Sequence, residues 1–275
     1  MTTVPPSSPA PFPPPCIAIF VATVWEFAAV RAAFPGGSGE TLHGRSLYRA
    51  QARASECWIV QTGVGPEKAR AAARDVFGMR TFSLAVSSGF ACALAPATVG
   101  DILIGTKAAA IESEATDTLG YVEVTGRERD RWSAAFSMDK PGSRTIDGDF
   151  ISLDRIVYRA ADKVALAQRT QALGLDMESA ALAHEAEAAQ VPFLIVRSVS
   201  DLLMEELPLD FNLFLRPTGW LKGLCLLLAH PSSLLGINRL RRQSAVAATA
   251  LTMCFQVAFS DRFGTRQDLP PTMTR

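Results

Sequence analysis

The sequence predicts an α/β fold of three layers, with a central mixed, mostly parallel sheet between two layers of helices. Apolar strand patterns alternate with helical patterns along most of the chain, and no internal repeat interrupts them. Hydrophobic residues make up 48% of the 275 residues, which is ample for a large core. Several apolar runs are followed at once by an acid or a glycine, at the position where ligands bind in α/β sheets.

The individual elements follow from local composition. Strands are predicted where apolar, β-branched or aromatic residues run together, over 16–22, 46–54, 57–62, 83–88, 101–104 and 144–153. Helices are predicted where apolar residues recur at helical spacing, over 24–34, 67–77, 126–138 and 160–172. Pro66 suits the first position of the second helix. The strand over 83–88 is expected to end in the glycine-containing segment 89–96, and residues from Asn212 onward have Leu-rich helical faces.

Residues 174–203 carry the clearest pattern, which is a short buried strand, a helix and a second strand that begins after Pro192. Glu178 follows the first of these strands, and Asp201 lies at the end of the second. Ligands bind at the carboxyl ends of the strands in α/β sheets, so both acids are expected at a ligand-binding edge.

Composition divides the chain into four segments. Residues 1–15 are rich in proline and predict a disordered lead, without the basic and apolar regions of a signal peptide. A single domain is expected over 16–215, followed by a C-terminal helical extension over 216–260 and a disordered tail over 261–275.

Charge and cysteine usage exclude several classes of protein. Lys plus Arg and Asp plus Glu each number 27, so no net field would attract nucleic acid. The five cysteines lack CxxC spacing, which favours reduced thiols and a cytoplasmic location. The apolar run that begins at Ala245 is shorter than the roughly 20 residues that a membrane span needs.

Three acids follow predicted strands, and each has a structural and a chemical interpretation. Glu178 can cap a helix, where the dipole favours an acid by up to about 1 kcal/mol, or it can accept both hydroxyls of a ribose diol. Asp201 can begin a turn, or it can protonate a purine that leaves a sugar, for which burial must raise its pKa. Glu26 can be a solvated helix residue, or it can position a water or contact the nucleophile.

Glycines at two further strand ends, Gly63 with Gly65 and the segment 87–89, allow either simple turns or close backbone approach to a ligand. The third glycine of a dinucleotide fingerprint is missing, and no GxxxxGK[ST] or GxSxG motif occurs. An HExxH pattern begins at His184 but is broken by Ala188, so neither a metal nor another cofactor is expected.

Taken together, these residues resemble the family-1 purine nucleoside phosphorylases and the methylthioadenosine/adenosylhomocysteine nucleosidases, over about residues 16–215. The strongest matches are DMESAALA at 176–183 and VPFLIVRSVSD at 191–201. The segments 87–96 and 99–104 resemble the family's glycine-rich loop and the strand after it. The resemblance implies a nucleoside phosphorylase-like fold and an enzyme that is either a glycosyltransferase or an N-glycosyl hydrolase.

The resemblance also implies roles for individual residues. Asp201 would face the purine N7 and Glu26 would handle water, as the two catalytic groups. The sugar and the base would be bound by six further residues, namely Met177, Glu178, Ser200, Gly89, Phe90 and Phe150.

The chain departs from the family pattern at several positions. Cys92 and Ala93 stand where the family loop usually carries two glycines, and Phe90 replaces a small polar residue. The GDPxR phosphate motif of the hexameric phosphorylases is missing after the first strand. These departures indicate an altered, more apolar pocket.

Three segments, 63–73, 163–179 and 207–219, are similar to the bacterial hopanoid-associated phosphorylases. This similarity implies removal of adenine from adenosylhopane, whose lipid would occupy the apolar pocket. Leu-rich helices over 221–240 would then lie on the inner membrane surface, or they would cover the core or an oligomer interface. The similarity favours phosphate as the nucleophile, bound by Gly63, Gly65 and an arginine elsewhere, whereas Glu26 favours water.

Two other functions fit the sequence. One is a nucleosidase or phosphorylase that acts on small nucleosides such as methylthioadenosine. The other is a non-catalytic nucleoside-binding protein, which the three acids argue against but Phe90, Cys92 and Ala93 favour. Each of these predicts a nucleoside ligand, no nucleic-acid partner and a homo-oligomer.

Overall fold

The computed structural model describes residues 15–111, 121–126, 129–130, 132–133, 144–208, 212 and 232–260. The strands within these residues are β1 (Cys16–Val21), β2 (Ser38–Leu42), β3 (Arg45–Ala52), β4 (Ser55–Gln61), β5 (Leu84–Ala93), β6 (Ile102–Ala110), β7 (Tyr121–Glu123), β8 (Thr145–Ser152), β9 (Gly174–Asp176) and β10 (Phe193–Asp201). The main helices are α1 (Val24–Ala32), α2 (Pro66–Phe77), α3 (Ala160–Thr170), α4 (Ser179–Ala188) and α5 (Ser232–Ala258). This mixed sheet with packed helices confirms the α/β fold class.

All ten strands belong to one sheet, in the order β10-β6-β8-β9-β5-β1-β4-β3-β2, with β7 paired to β6. Strand β10 also pairs with β5, so five strands, β5, β10, β6, β8 and β9, close into a ring. Strand β1 runs parallel to β4 and to β5, and β5 runs parallel to β10. The carboxyl ends of these four strands therefore lie at one edge, where the ligand-binding residues were predicted.

Strand β9 reaches this edge in a different way. It runs antiparallel to β5, with Leu175 opposite Cys92 and Gly174 opposite Ala93. The carboxyl end of β9 therefore turns back over the carboxyl half of β5 and carries Glu178 toward the acids of the parallel strands. Glu178 and Asp201 lie at the same edge of the sheet, as predicted. Glu178 reaches this edge because β9 runs antiparallel to β5.

The central strands are buried because both of their faces are covered by helices or by the ring of strands. Strands β1, β4, β5 and β10 each contain three or more consecutive buried apolar residues, as is typical of buried strands of α/β sheets. Helix α2 packs on α4, while the C-terminal helix α5 packs on α1 and β10. Leu251, Cys254 and Phe255 of α5 belong to the main hydrophobic cluster of the sheet. The second half of α5 is thus part of the domain core rather than an appendage.

Four strands differ from the sequence predictions: β5 and β6 are longer than predicted, and β2 and β7 were not predicted. Strand β5 does not end at residue 88 but continues through Ala93, because β10 and β9 both pair with its glycine-containing half. Strand β2, which is polar and mostly exposed, was not predicted. The predicted helix over 126–138 and the predicted lead over 1–15 lie partly outside the described residues. Residues 213–231 and the predicted tail over 261–275 lie wholly outside them.

None of the helices within the described residues combines the length and the apolar character that crossing a bilayer requires.

Candidate active site

A cavity of about 350 Å³ opens where β1, β9 and β10 end. This volume lies in the usual range for small-molecule sites. The polar side chains that line it are Thr23, Glu26, Arg155, Asp176, Glu178, Ser200 and Asp201. The apolar lining comes from Ala22, Val64, Phe90, Ala91, Cys92, Ile156, Val157, Leu175, Met177, Leu207 and Leu240.

Glu26 is both a helix cap and a cavity residue. Thr23 is the N-cap of α1, and Glu26 completes a capping box with it. Oε2 of Glu26 accepts hydrogen bonds from the N–H of Ala22 at 3.1 Å, the N–H of Thr23 at 2.7 Å and the Thr23 hydroxyl at 2.9 Å. Oε1 accepts one from the Phe90 N–H at 2.7 Å. The carboxylate is therefore fixed by uncharged donors, and Oε1 keeps a lone pair for a ligand or a water.

Glu178 precedes α4 and is almost completely buried. Its Oε1 accepts a hydrogen bond from the Gly65 N–H at 2.8 Å, which joins the loop after β4 to the site. Burial raises the pKa of Glu178 to about 7, although nearby Arg197 opposes the rise; Asp176 and Glu26 add to it through like charge. Glu178 therefore titrates near neutral pH.

Arg197 is the cation beneath this group of acids. It is only 1% exposed and lies in the middle of β10, a strand that is otherwise apolar up to this point. Its Nη2 lies 2.8 Å from Oδ2 of Asp176 but 3.8 Å from Oε2 of Glu178. The same nitrogen donates to the hydroxyls of Ser87 and Ser179. Arg197 is thus shared, and its direct carboxylate partner is Asp176.

Gly89 lies between Glu26 and Arg197. Its φ of +138° belongs to a region that residues with a side chain rarely adopt. A Cβ at this position would lie 2.3 Å from Oε1 of Glu26 and 2.8 Å from Nη1 of Arg197. The absence of a side chain at residue 89 is what allows the two charged groups to approach each other across β5.

Asp201 lies at the end of β10, where the pairing with β5 shifts register between Val199 and Asp201. Such a bulge redirects side chains next to it. Oδ2 of Asp201 accepts a hydrogen bond from the ammonium of Lys163, at 2.7 Å, from the first turn of α3. Burial raises the pKa of Asp201, and the charge and hydrogen bond of Lys163 oppose the rise. Asp201 is thus a buried acid with one fully charged partner.

The structure brings most of the predicted site residues to this cavity. Met177, Ser200 and Phe90 line it together with Glu26, Glu178 and Asp201. Phe150 does not line it, because its ring is completely buried in the main hydrophobic cluster and packs against Gly174. The assignment of Phe150 to the base is therefore wrong for this structure. Phe150 pairs with Gly174 of β9, and its ring lies against this glycine in the core.

The predicted phosphate-binding glycines lie beside the cavity. Gly63 and Gly65 both have positive φ values, as their turn requires. The N–H of Gly65 is occupied by Glu178, so this donor does not face an open anion site. Arg155, from the segment after β8, is the only cation among the described residues that line the cavity.

A second cavity of about 560 Å³ adjoins the first and shares Arg155, Ile156 and Val157 with it. Asn212 fixes this shared segment, because its side chain accepts from the N–H of Ile156 at 2.7 Å and donates to the carbonyl of Ile156 at 2.8 Å. Among the described residues, no group of three or more His, Cys, Asp or Glu side chains is arranged to hold a metal ion.

Three charged residues that pair with the acids of the site, or are one of them, had no predicted role: Asp176, Arg197 and Lys163. Asp176 and Arg197 belong to the segments 176–183 and 191–201. A charged residue inside an apolar strand, such as Arg197, indicates a buried partner of opposite charge. Lys163 lies on the buried face of α3 together with Leu166, three residues later. Residues three apart share one face of a helix, and this spacing could have indicated that Lys163 is buried.

A model of the phosphorylase superfamily matches residues 16–216 of the chain. Several solved structures share the fold. The methylthioadenosine/adenosylhomocysteine nucleosidase of Neisseria meningitidis, in complex with methylthio-immucillin-A, is 18% identical with a TM-score of 0.67, covering 88% of this chain and 98% of its own. The native futalosine hydrolase of Helicobacter pylori is 14% identical with a TM-score of 0.67, and the match covers 88% and 97% of the two chains. The Campylobacter jejuni nucleosidase is 16% identical with a TM-score of 0.65, covering 87% and 98%.

The family model covers well over half of the chain. The chain therefore belongs to the phosphorylase superfamily, which confirms the family resemblance and the expectation of an enzyme.

Proposed function

We propose that the protein cleaves the N-glycosidic bond of a purine nucleoside in the cavity at the ends of β1, β9 and β10. The observation that carries the proposal is the convergence of three buried acids, Glu26, Glu178 and Asp201, on one cavity of nucleoside size. Buried acids are costly to keep, and clusters of them with shifted pKa values favour a catalytic role.

The ribose end of the cavity is lined by Glu26, Asp176 and Glu178, and Arg197 lies behind these acids without lining the cavity. Glu178 is suited to accept hydrogen bonds from the two ribose hydroxyls, since within the described part of the chain Oε1 accepts from the Gly65 N–H alone and Oε2 lies 3.8 Å from Arg197. Three carboxylates face one guanidinium here, so the local charge is negative when all are ionised. Such an environment stabilises the positive charge that the sugar acquires as its bond to the base breaks.

The base end consists of Asp201 with its partner Lys163. As the glycosidic bond breaks, its electron pair moves onto the purine, and Asp201 donates a proton to N7. The base then leaves as a neutral molecule, while Asp201 becomes a carboxylate. General acid catalysis of this kind contributes about 10²–10⁴-fold.

Two nucleophiles are consistent with the site. Phosphate is supported by the similarity to the hopanoid-associated phosphorylases and by Arg155, a cation at the cavity wall. Water is supported by Glu26, whose Oε1 has one donor, and by the occupied N–H of Gly65. We retain phosphate as the first candidate, because the similarity to the hopanoid-associated phosphorylases runs through three separate segments, 63–73, 163–179 and 207–219. Hydrolysis is the second candidate, because Glu26 and Glu178 would repel an anion that Arg155 must hold.

For the substrate we propose adenosylhopane, with small nucleosides such as methylthioadenosine as the alternative. The apolar walls support a large apolar substituent on the sugar, especially Val64, Phe90, Leu207 and Leu240, the last from α5. A lipid-linked substrate would also give a reason for contact with a membrane surface.

The test is an assay of adenine release from adenosylhopane, methylthioadenosine and adenosine, each with and without phosphate. We expect the fastest release from adenosylhopane and a phosphorylated sugar product when phosphate is present. Mass spectrometry distinguishes that product from free sugar, and free sugar under both conditions would make the enzyme a hydrolase. A folded protein that binds these nucleosides but releases no adenine would instead be a non-catalytic binding protein.

A further inference from the structure

Lys163 lies wholly inside the protein, with 0% of its surface exposed. Its ammonium group donates to Oδ2 of Asp201 at 2.7 Å, to the carbonyl of Glu205 at 2.6 Å and to the carbonyl of Leu202 at 3.3 Å. An ammonium has three N–H donors, so these three acceptors satisfy it completely. The lysine is therefore held in one place by the backbone that follows β10.

We propose that Lys163 is a positioning residue for the glycosidic cleavage, which acts through Asp201 and stabilises the charge that Asp201 acquires when it gives up its proton. The inference rests on the proposed function, since it assigns a partner to the proposed general acid. Lys163 does not line the cavity, so it is not expected to touch the substrate.

The geometry gives Lys163 two effects on Asp201. The contact occupies Oδ2, so the proton for the departing base is delivered from Oδ1. The hydrogen bonds to the carbonyls of Leu202 and Glu205 hold the ammonium in place when Asp201 loses its proton. Both carbonyls belong to the backbone rather than to mobile side chains. A fixed charge of this kind needs no rearrangement during the reaction, which makes its stabilisation effective.

The charged and titratable groups around Asp201 come from three directions. Lys163 approaches from α3, the thiol of Cys92 from β5, and Glu205 from the segment after β10. The carboxylate of Glu205 is itself bound by the side-chain amide of Gln243 on α5. Burial raises the pKa of Asp201, Lys163 lowers it through its charge and hydrogen bond, Cys92 lowers it and Glu205 raises it. Lys163 is thus the positive charge among these groups.

The sign of the expected pH effect follows from this arrangement. Activity requires protonated Asp201, so it is lost as the pH rises through the pKa of that group. Removal of the lysine charge raises this pKa further, because an opposite charge at this distance lowers the pKa of a carboxyl by roughly 1–3 units. The alkaline limb of the rate profile should therefore move to higher pH, while the rate at the plateau falls because the acid is weaker and less well oriented.

The experiment compares Lys163→Met with the parent enzyme in the pH dependence of kcat/KM for adenine release. We expect the alkaline limb to move up by roughly one pH unit or more. Lys163→Arg keeps the charge and should leave the limb near its parental position. Lys107→Met is the matched control, since Lys107 belongs to a partly exposed ion pair with Glu123. If the Met variant does not fold, Lys163→Gln carries the same expectation.

A second substrate separates this role from a structural one. A nitrophenyl β-riboside has a leaving group that needs no proton, so Lys163→Met should process it at near the parental rate. Equal losses on both substrates, or an unchanged alkaline limb in a folded variant, would overturn the proposal for Lys163 and leave the proposed function intact. A folded parent enzyme without adenine release on any nucleoside would refute the proposed function, and the role of Lys163 with it.

Discussion

Both ends of the cavity bury acids, but they compensate the negative charge differently. At the ribose end, Arg197 forms its direct ion pair with Asp176 and lies 3.8 Å from Glu178, while Glu26 is held by uncharged N–H and hydroxyl donors. At the base end, Oδ2 of Asp201 accepts a hydrogen bond from the ammonium of Lys163 at 2.7 Å. One end therefore retains an excess of negative charge, whereas the other is a matched pair.

This difference corresponds to what each end must do in a glycosidic cleavage. A sugar that becomes positively charged is stabilised by surplus carboxylate charge, as at the ribose end. An acid that passes on a proton must be stabilised after it has lost that proton, as at the base end. The comparison implies that changes at the base end affect the leaving group alone, while changes at the ribose end affect every riboside.

The largest effect is expected from Asp201→Asn. An amide cannot supply the proton, so adenine release should fall by about 10²–10⁴-fold. Steady-state kinetics with an adenine nucleoside measures the loss, and Asp130→Asn serves as a control at an exposed ion pair. Near-parental adenine release by a folded Asn variant would remove Asp201 from the mechanism.

A smaller loss is expected from Glu178→Gln. Hydrogen bonds to a charged acceptor contribute about 1.5–3 kcal/mol, so kcat/KM for ribosides should fall by roughly 10- to 10²-fold. A 2′,3′-dideoxy nucleoside should be a poor substrate of the parent and almost insensitive to the substitution. Glu187→Gln, at an exposed glutamate, is the control. If the parent enzyme processed the dideoxy compound as fast as the riboside, Glu178 would not bind the diol.

Gly89→Ala tests the packing of residue 89 between Glu26 and Arg197 at the ribose end of the cavity. The added Cβ would meet the Glu26 carboxylate and would occupy a strained backbone region, which costs about 1–3 kcal/mol in itself. Thermal unfolding should show a Tm lower by several degrees, and adenine release should fall as Glu26 is displaced. Gly39→Ala is a suitable comparison, since no atom lies within 4 Å of its added Cβ. Equal Tm values for the two variants would contradict the described packing.

The smallest effect is a pH dependence at the ribose end. The pKa of Glu178 is raised to about 7, and the ionised form is the one that accepts the diol hydroxyls. The kcat/KM for ribosides should therefore decline as the pH falls below about 7, and Glu178→Gln should lose this acidic limb. Asp201→Asn should keep the limb, because its residual activity still depends on Glu178. An acidic limb that persists in the Gln variant would assign it to another group.

The sequence predicted the strand-end acids because each follows a short apolar run, a signal that depends only on local composition. It did not predict the continuation of β5 through Ala93, because a segment of small residues with a glycine is typical of a loop. The pairing with β9 and β10 extends the strand. Phe150 was assigned to the base by resemblance, but the register of β8 against β9 turns it into the core. Lys163 escaped notice because a lysine on an amphipathic helix is usually exposed, and its burial depends on contacts with residues 38 or more positions away.

The most direct test of the difference between the two ends is a comparison of Asp201→Asn and Glu178→Gln on two substrates, an adenine nucleoside and a nitrophenyl β-riboside. We expect Asp201→Asn to lose about 10²-fold or more on the nucleoside but little on the nitrophenyl riboside. Glu178→Gln should lose a similar factor on both, because both carry the same ribose. If the two variants show the same ratio of losses on the two substrates, the cavity does not divide into a ribose end and a base end as described.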